Sequence, residues 1–203
     1  MDSYRKNGKK LKIAVQVFGH MRTFEKCAPS LKKYFLQFYD CDVFIHTWSK
    51  LDHETKTWHK RKTSSYCIEP SQFKKKIQSL YDATKTKIED QIPEDLGVYK
   101  ASNSRTLSIY GIKSMFYSME QANKLRESYE LQSKTKYDYV LMIRPDILLK
   151  KRLRIEQFTK LFSEKEIANA IFSAGFNNKP IINELRFVGA IDVMFFAKPE
   201  TMA

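Results

Sequence analysis

The chain has 203 residues and a mass of 24.0 kDa, which is about the size of one domain and leaves little room for a second. Hydrophobic residues make up 42% and charged residues 29%, and these fractions exclude general disorder and a collagen-like or low-complexity fibre. The formal net charge of +13 favours polyanionic partners, namely phosphorylated substrates, acidic lipid headgroups or nucleic acid, unless the basic residues only form a solvated face.

The first elements along the chain predict a βαβ unit. Residues 1–11 form a polar lead-in, and Leu11–Phe18 (LKIAVQVF) is a short run rich in valine and isoleucine that is typical of a buried strand. In Phe24–Phe38 the large apolar side chains are three or four residues apart, which predicts an amphipathic helix. Cys41–Trp48 (CDVFIHTW) is the second strand. Because both strands look buried on two faces, we expect them to be parallel.

The middle of the chain predicts a long surface loop and then a long helix. Ser49–Pro70 is polar, and loops of this length are uncommon unless they are functional or mobile. The longest helical pattern runs from about Ser104 to Ser128, and Ser102 or Ser104 is expected to cap its first turn. The other elements predicted in this part are a helix at Ser71–Tyr81, a strand at Lys85–Glu89 and a turn at Pro93–Gly97.

The last third of the chain continues the alternation of strand and helix. Tyr137–Ile143 is the clearest strand, and it is broken at Arg144-Pro145-Asp146 because proline has no N–H group for a sheet ladder. The later elements are a strand at Ile147–Leu149, a helix at Ile155–Phe162, a strand near Ala170–Ala174 and a strand at Ile191–Ala197. The alternation predicts an α/β fold with a mostly parallel sheet flanked by helices, in a single domain of residues 12–203. Pro199 and Glu200 resemble the first turn of a helix, so we expect a fragment that is truncated at its C-terminus.

The cysteines and the apolar stretches bear on cellular location. Cys27, Cys41 and Cys67 are odd in number and form no CxxC pair, so neither a disulfide framework nor a zinc ribbon is expected. Met1–Lys12 is polar and basic, unlike a secretion signal. Apolar stretches such as Tyr139–Ile143 are far shorter than the roughly 20 residues that a membrane-spanning helix needs. We therefore expect a reducing, cytoplasmic location.

Polar residues follow the first predicted strand, at the edge where open α/β sheets bind ligands. In Gly19-His20-Met21-Arg22-Thr23 the glycine lets a ligand approach the backbone, and the planar fork of the arginine suits a phosphate. The alternative is an ordinary turn with a solvated arginine. Neither of the phosphate-binding loop patterns GxxxxGK[ST] and GxGxxG occurs.

Two further strand ends carry candidate site residues. In His46-Thr47-Trp48, His46 is either a ligand contact or a buried ring, and Trp48 either stacks on a base or sugar or fills the core. Asp146 places a carboxylate where enzymes hold a divalent cation beside a diphosphate leaving group. The alternative for Asp146 is a turn in which its side chain caps a backbone amide.

Four segments occur in a characteristic order: GHMRTF after the first strand, CDVFIHTW as the second strand, then YDYVLMIRPDILL and IDVMFFAKPETM. Together they resemble bacterial sugar transferases of capsule and lipooligosaccharide clusters, most closely the capsular polysaccharide proteins of the campylobacter type. The resemblance covers nearly the whole chain from Lys12 onwards, and the order of the motifs carries it. It implies a GT-A-like (Rossmann-like) nucleotide-sugar-binding fold.

The resemblance also implies roles for individual residues. Arg144 and Asp146 fall where a GT-A enzyme has its DxD motif, and arginine replaces the first acidic residue. Asp146 is then a single carboxylate for Mn²⁺ or Mg²⁺ and a catalytic candidate, with Arg144 as an alternative cation for the diphosphate. Asp192 falls where such folds place a general base for the acceptor hydroxyl, unless it only begins a strand or turn. The implied donor-binding residues are Gly19, His20, Arg22, Thr23, Thr47, Trp48 and Arg144.

We therefore expect a glycosyltransferase that moves a sugar from a nucleotide-diphosphate donor to a growing capsule or lipooligosaccharide glycan, or to a lipid-linked acceptor. It would act in the cytoplasm, with peripheral attachment to the inner face of the membrane and no nucleic acid partner. One alternative is a non-catalytic basic module for RNA or another polyanion, although no RNA-binding signature supports it. Another is a transferase domain that is catalytically incomplete.

Overall fold

A computed structural model describes residues 5–6, 9–52, 70–92, 94–100, 106–173 and 194–202. The helices are α1 (Phe24–Tyr34), α2 (Pro70–Tyr81), α3 (Ile109–Ser133), α4 (Ile155–Thr159) and α5 (Glu164–Ala168), with 3₁₀ turns at Leu36–Phe38 and Pro199–Thr201. The strands are β1 (Arg5–Lys6), β2 (Lys9–Lys10), β3 (Lys12–Phe18), β4 (Asp40–Trp48), β5 (Lys85–Glu89), β6 (Val98–Lys100), β7 (Thr106–Ser108), β8 (Tyr139–Ile143), β9 (Phe172–Ser173) and β10 (Met194–Ala197).

A mixed, mostly parallel sheet forms the centre of the fold. Within the described residues its strand order is β5-β4-β3-β8-β10-β9. Strands β5, β4, β3 and β8 are parallel, and β10 is antiparallel to β8 and β9. The chain adds β4 and β5 on one side of β3 and then crosses to place β8 on the other side. This α/β architecture is compatible with a Rossmann-like fold, and it confirms the predicted mostly parallel sheet.

Helices cover both faces of the sheet because its central strands are apolar on both sides. Ile13, Val15 and Val17 of β3 share one core with side chains of α1, α2, α4 and α5. The intervening Ala14 and Phe18 point to the other face, where they lie in clusters that α3 completes. The alternation of side chains along β3 therefore assigns each helix to one layer.

The long helix differs from its prediction at both ends. It spans Ile109–Ser133 rather than Ser104–Ser128. Its start is later because Thr106–Ser108 pairs with Val98–Lys100 in an antiparallel hairpin. Each strand of that hairpin is only three residues long, and Val98–Lys100 is exposed, so no apolar pattern in the sequence predicts the hairpin.

The cap of this helix is also different from the predicted one. The Oγ atom of Ser108 accepts a hydrogen bond from the backbone N–H of Gly111 at 3.1 Å, which is the geometry of an N-cap. The predicted caps, Ser102 and Ser104, lie outside the described residues and precede the true start of the helix by several positions.

Other predicted helices and strands are confirmed with small changes of bounds, whereas the predicted turn Pro93–Gly97 begins at a residue outside those described and stays a prediction. Three points differ. Ile147–Leu149 is not a strand, because the backbone N–H of Leu149 donates to Ser30 Oγ at 3.0 Å instead of to a sheet neighbour. The polar lead-in contains the β1–β2 hairpin. The predicted helix Ile155–Phe162 ends at Thr159 and is followed by α5, which the sequence did not predict.

Some predictions fall outside the described residues. Most of the predicted loop Ser49–Pro70 lies outside them, because residues 53–69 are not among the described residues. Asp192 and the first residues of the predicted strand Ile191–Ala197 do so as well, whereas the rest of that strand is confirmed. In the ranges given above, no helix has both the length and the apolar character that crossing a membrane requires.

Candidate functional site at the carboxyl edge of the sheet

The loops that follow β3 and β8 lie side by side. Val17 near the end of β3 and Ile143 at the end of β8 are register partners, so residues 19–23 and 144–146 leave the sheet next to one another. The strand order reverses between these two strands, and ligands of open α/β sheets bind at such a switch point. The predicted edge is therefore also the edge that the topology selects.

The loop after β3 contains two left-handed backbone positions. Gly19 has a φ of +93° and Arg22 a φ of +41°. Glycine adopts this conformation freely, whereas an L-residue with a Cβ atom loses about 1 kcal/mol. The N–H of Arg22 donates to the carbonyl of Leu51 at 2.8 Å, which ties this loop to the segment after β4. Backbone strain of this kind is found preferentially at functional sites.

Arg22, Arg144 and Asp146 form an ion cluster at this edge, here called the arginine cluster. Nη1 of Arg22 donates to Oδ2 of Asp146 at 2.9 Å. Arg144 donates from Nη2 to the same oxygen at 2.6 Å and from Nε to Oδ1 at 3.0 Å. Nε of Arg22 also donates to Oδ1 of Asp52 at 3.0 Å. Two guanidinium groups from the ends of different strands therefore meet at one carboxylate.

The charges in the arginine cluster stabilise one another. Burial alone would raise the pKa of Asp146, but the hydrogen bonds from Arg144 and Arg22 outweigh burial and hold the pKa below its ordinary value. Burial disfavours the charge on Arg22, yet Asp146 and Asp52 raise its pKa. With all three side chains of the cluster ionised, its net charge is +1, carried by planar forks of the shape that phosphate oxygens match.

The side chains at this edge do not form a suitable ligand set for a divalent cation. Both carboxylate oxygens of Asp146 already accept hydrogen bonds from guanidinium groups, whose positive charges oppose a second cation. No group of three or more His, Cys, Asp or Glu side chains in the described part of the chain is arranged to hold a metal. These contacts fit neutralisation of a diphosphate by Arg144, the alternative predicted above, better than they fit metal binding by Asp146.

A second polar arrangement, here called the histidine network, lies on the α3 side of the same edge. Nδ1 of His46 is 2.7 Å from Oγ of Ser118, and Nε2 of His46 is 2.7 Å from Oε2 of Glu89. The N–H of Gly19 donates to Oγ of Ser118 at 2.8 Å. The network therefore joins the ends of β3, β4 and β5 to α3.

The hydrogen-bond partners fix the protonation of the network. Burial lowers the pKa of His46 despite the opposing effect of Glu89, so the ring is neutral at neutral pH. Because a carboxylate can only accept, Nε2 carries the proton, and Nδ1 accepts the hydroxyl proton of Ser118. Since His46 and Ser118 are both fully buried, this is a positioning network and not an accessible nucleophile.

Aromatic rings surround the network. Trp48 and Tyr117 stack with centroids 5.7 Å apart and an interplanar angle of 20°, and His46 meets both rings edge-on. The hydroxyl of Tyr117 donates to Oε2 of Glu89 at 3.2 Å. Trp48 is only 7% exposed, which favours its predicted role in the core, whereas Tyr117 is 38% exposed and presents a ring to solvent.

The other residues that were predicted to bind the nucleotide-sugar donor differ in whether they lie at the carboxyl edge. Nδ1 of His20 lies 3.0 Å from the carbonyl of Lys50, and its ring centroid is 6.3 Å from that of Trp48, so His20 belongs to the edge. Thr23 is exposed at the start of α1. Thr47 is fully buried and follows the side-chain alternation of β4 to the face opposite His46, so it does not face the network. Their roles in donor binding stay predictions.

Sequence reasoning missed Glu89, Tyr117 and Ser118. Glu89 ends a predicted strand, so the rule that identified the other strand ends could have found it. Tyr117 and Ser118 lie within a long helix and carry no local signal, because only the packing of that helix brings them to the sheet edge.

The chain is an α/β protein whose mostly parallel sheet is compatible with a Rossmann-like fold and carries a basic cluster at the switch point. The chain belongs to the family described as "Domain of unknown function (DUF7796)", which matches residues 8–179. The matched range includes the whole arginine cluster and excludes Asp192. Among curated proteins, none matches the chain.

Proposed function

We propose that this protein is a GT-A-like glycosyltransferase that binds the diphosphate of a nucleotide-sugar donor at the arginine cluster. The observation that carries the proposal is the convergence of Arg22 and Arg144, from adjacent central strands, at the switch point of the sheet. The motif resemblance supports the reaction class, and with it a capsule or lipooligosaccharide glycan as acceptor at the cytoplasmic face of the membrane.

The two arginines have donors left for the ligand. Arg22 uses Nε and Nη1 for carboxylates, and Arg144 uses Nε and Nη2. Within the described residues this leaves Nη2 of Arg22 and Nη1 of Arg144 to donate to diphosphate oxygens. Asp146 thereby keeps both forks in position before the donor binds, which reduces the entropy that binding costs.

The transfer requires charge stabilisation at the leaving group. The acceptor oxygen forms a bond to the anomeric carbon while the bond between that carbon and the diphosphate oxygen breaks. The electron pair of the broken bond leaves with the diphosphate. The guanidinium groups of Arg22 and Arg144 stabilise this growing negative charge. Asp192 stays the predicted acceptor of the hydroxyl proton, since the low pKa of Asp146 makes that carboxylate a weak base.

Titration calorimetry with UDP tests the site. We expect Arg22→Gln and Arg144→Gln each to weaken UDP binding by about tenfold or more, because each removes charge-assisted hydrogen bonds. Lys33→Gln in the last turn of α1 is the matched control, which removes one positive charge at the end of that helix remote from residues 19–23 and leaves affinity unchanged. We expect the addition of EDTA to leave the affinity for UDP unchanged, because the side chains of the site do not form a suitable ligand set for a divalent cation.

A mass-spectrometric screen of nucleotide sugars for hydrolysis or transfer tests the reaction, with Arg144→Gln expected to slow whichever conversion is found. UDP affinity that is the same in both arginine variants and the parent chain would refute the diphosphate site. Stabilisation by single-stranded RNA alone, lost steeply with added salt, would establish the polyanion-binding alternative instead.

A further inference from the structure

The positive charge of the described chain is concentrated in one layer. Helices α1 and α2 and the segment 149–154 together contain ten Lys and Arg residues and one acidic residue, a net formal charge of +9. Helix α3, on the opposite face of the sheet, contains three basic and three acidic residues and is formally neutral. Helices α4 and α5, on the same face as α1 and α2, contain three acidic residues and one lysine and lower that charge by two. The asymmetry between the two faces remains and is independent of the arginine cluster.

These three segments form one continuous surface. Helices α1 and α2 are neighbours, with the rings of Phe24 and Phe73 in an edge contact at 5.9 Å. The segment 149–154 runs along α1, since the N–H of Leu149 donates to Ser30 Oγ at 3.0 Å and that of Leu153 to the carbonyl of Tyr34 at 3.1 Å.

The outward side of this surface is rich in exposed lysines. Lys76 is paired with Glu25 at 2.8 Å. Seven other lysines are exposed and form no ion pair within the described residues, so their charges are not neutralised locally. These seven, here called the basic layer, are Lys26, Lys32, Lys33, Lys74, Lys75, Lys150 and Lys151.

Exposed apolar side chains border the basic layer. Leu148 is 54% exposed beside Lys150, and Leu161 is 76% exposed just beyond α4. Helix α4 lies on the same face of the sheet as α1, because Ile155 packs in the core that α1 covers. Lysines and isolated large apolar residues on one face are the combination that adsorbs to the headgroup region of a bilayer.

We propose that the basic layer docks the protein on a lipid bilayer surface that contains anionic headgroups. The uncompensated lysines supply the attraction, and Leu148 and Leu161 reach the boundary of the acyl chains. A single-stranded nucleic acid would need exposed rings for stacking. Phe158 and Phe162, in and just after α4, are partly exposed but pack against Phe172, with centroids 6.4 and 5.4 Å apart, and are not free for stacking.

Cosedimentation of the full chain with vesicles tests the docking surface. We expect binding to phosphatidylcholine vesicles that contain phosphatidylglycerol, little binding to pure phosphatidylcholine, and a loss of binding as salt is added. Lys74→Gln/Lys75→Gln lowers the partition coefficient about 25-fold, since each lysine near an anionic surface contributes about fivefold. Lys113→Gln/Lys124→Gln on α3 is the matched control and leaves it unchanged.

Three results would overturn the proposal: equal binding to both kinds of vesicle, an equal loss in the α3 control, or no binding to anionic vesicles at low salt. Tight binding to a single-stranded RNA that Lys74→Gln/Lys75→Gln abolishes, without vesicle binding, would reassign the layer to nucleic acid. A Leu161→Ser variant separates the two partners, because it weakens adsorption to lipid and leaves RNA binding unchanged. None of these readouts depends on UDP binding, so this proposal and the proposed function fail separately.

Discussion

Asp146 accepts hydrogen bonds from two guanidinium groups that would otherwise repel each other. Without this carboxylate, Arg22 and Arg144 would gain freedom and lose their common direction. Its side chain is 17% exposed, so solvent screens these contacts only in part. At the scale of the single residue, Asp146 therefore contributes to stability and also prepares the site.

We expect Asp146→Asn to lower the free energy of unfolding at neutral pH by about 1–3 kcal/mol, because charged hydrogen bonds to two arginines are lost. The folded pKa of Asp146 lies below its ordinary value of 3.8, so its contribution is present above that value and is lost as the pH falls through the folded pKa. The difference between variant and parent chain should therefore shrink in acid. Urea unfolding at neutral and acidic pH measures both effects.

Asp52→Asn is the matched control for this experiment. Asp52 also accepts a hydrogen bond from Arg22, but its side chain is 45% exposed and contacts only one of the two arginines. Its replacement should change stability much less. Equal losses in the two variants, or a loss for Asp146→Asn that persists unchanged in acid, would show that the ionised carboxylate of Asp146 does not organise the cluster.

At the scale of elements, one hydroxyl group holds four of them together. Ser118 of α3 accepts from Gly19 after β3 and donates to His46 of β4, which in turn donates to Glu89 of β5. Buried polar networks are stabilising only when every member is satisfied. Ser118 therefore adds a polar anchor at the sheet edge to the apolar packing of α3 on the sheet.

We expect Ser118→Ala to destabilise the protein by about 2–4 kcal/mol, because it leaves the buried Nδ1 of His46 and the half-buried N–H of Gly19 without their hydrogen-bond partner. Ser114→Ala is the control: Ser114 is buried one turn earlier in α3 and makes no side-chain hydrogen bond to the described residues. Since alanine is the better helix former, that variant should be neutral or slightly stabilising. Urea unfolding with equal losses in both variants would contradict the role of the network.

The same network shows how far the sequence predicts the site. The strands β3, β4 and β8 each contain a short apolar run, so their approximate bounds and their parallel pairing follow from the pattern. The polar residues at their ends could therefore be assigned to one edge. The hydrogen-bond partners of His46 could not be predicted from the sequence. Ser118 is 72 residues away along the chain, and only the packing of α3 brings it next to His46. The predicted start of α3 was wrong because the two strands of the hairpin before it are only three residues long and carry no apolar period.

At the scale of the whole molecule, two surfaces differ in their electrostatics. The arginine cluster lies at the carboxyl edge, where its charges are largely compensated by Asp146 and Asp52. The basic layer covers the α1–α2 face, where its lysines lie on three neighbouring segments and form no ion pair with any residue that the structure describes. Crowded charges of one sign reduce the stability of the folded state through self-repulsion, a cost that is independent of any partner.

This repulsion makes stability depend on salt in a direction opposite to that of an ion-pair-stabilised protein. We expect added NaCl to raise the midpoint of thermal unfolding by about 2–4 °C, because the Debye length shortens from about 30 Å at 0.01 M salt to about 8 Å at 0.15 M. Lys74→Gln/Lys75→Gln should start from a higher midpoint at low salt and respond less to NaCl. Lys113→Gln/Lys124→Gln should not share this gain, since those two lysines are paired with Glu94 and Glu120 at 2.7 Å. A midpoint that falls as NaCl is added would mean that attractive pairs outweigh the repulsion within the basic layer.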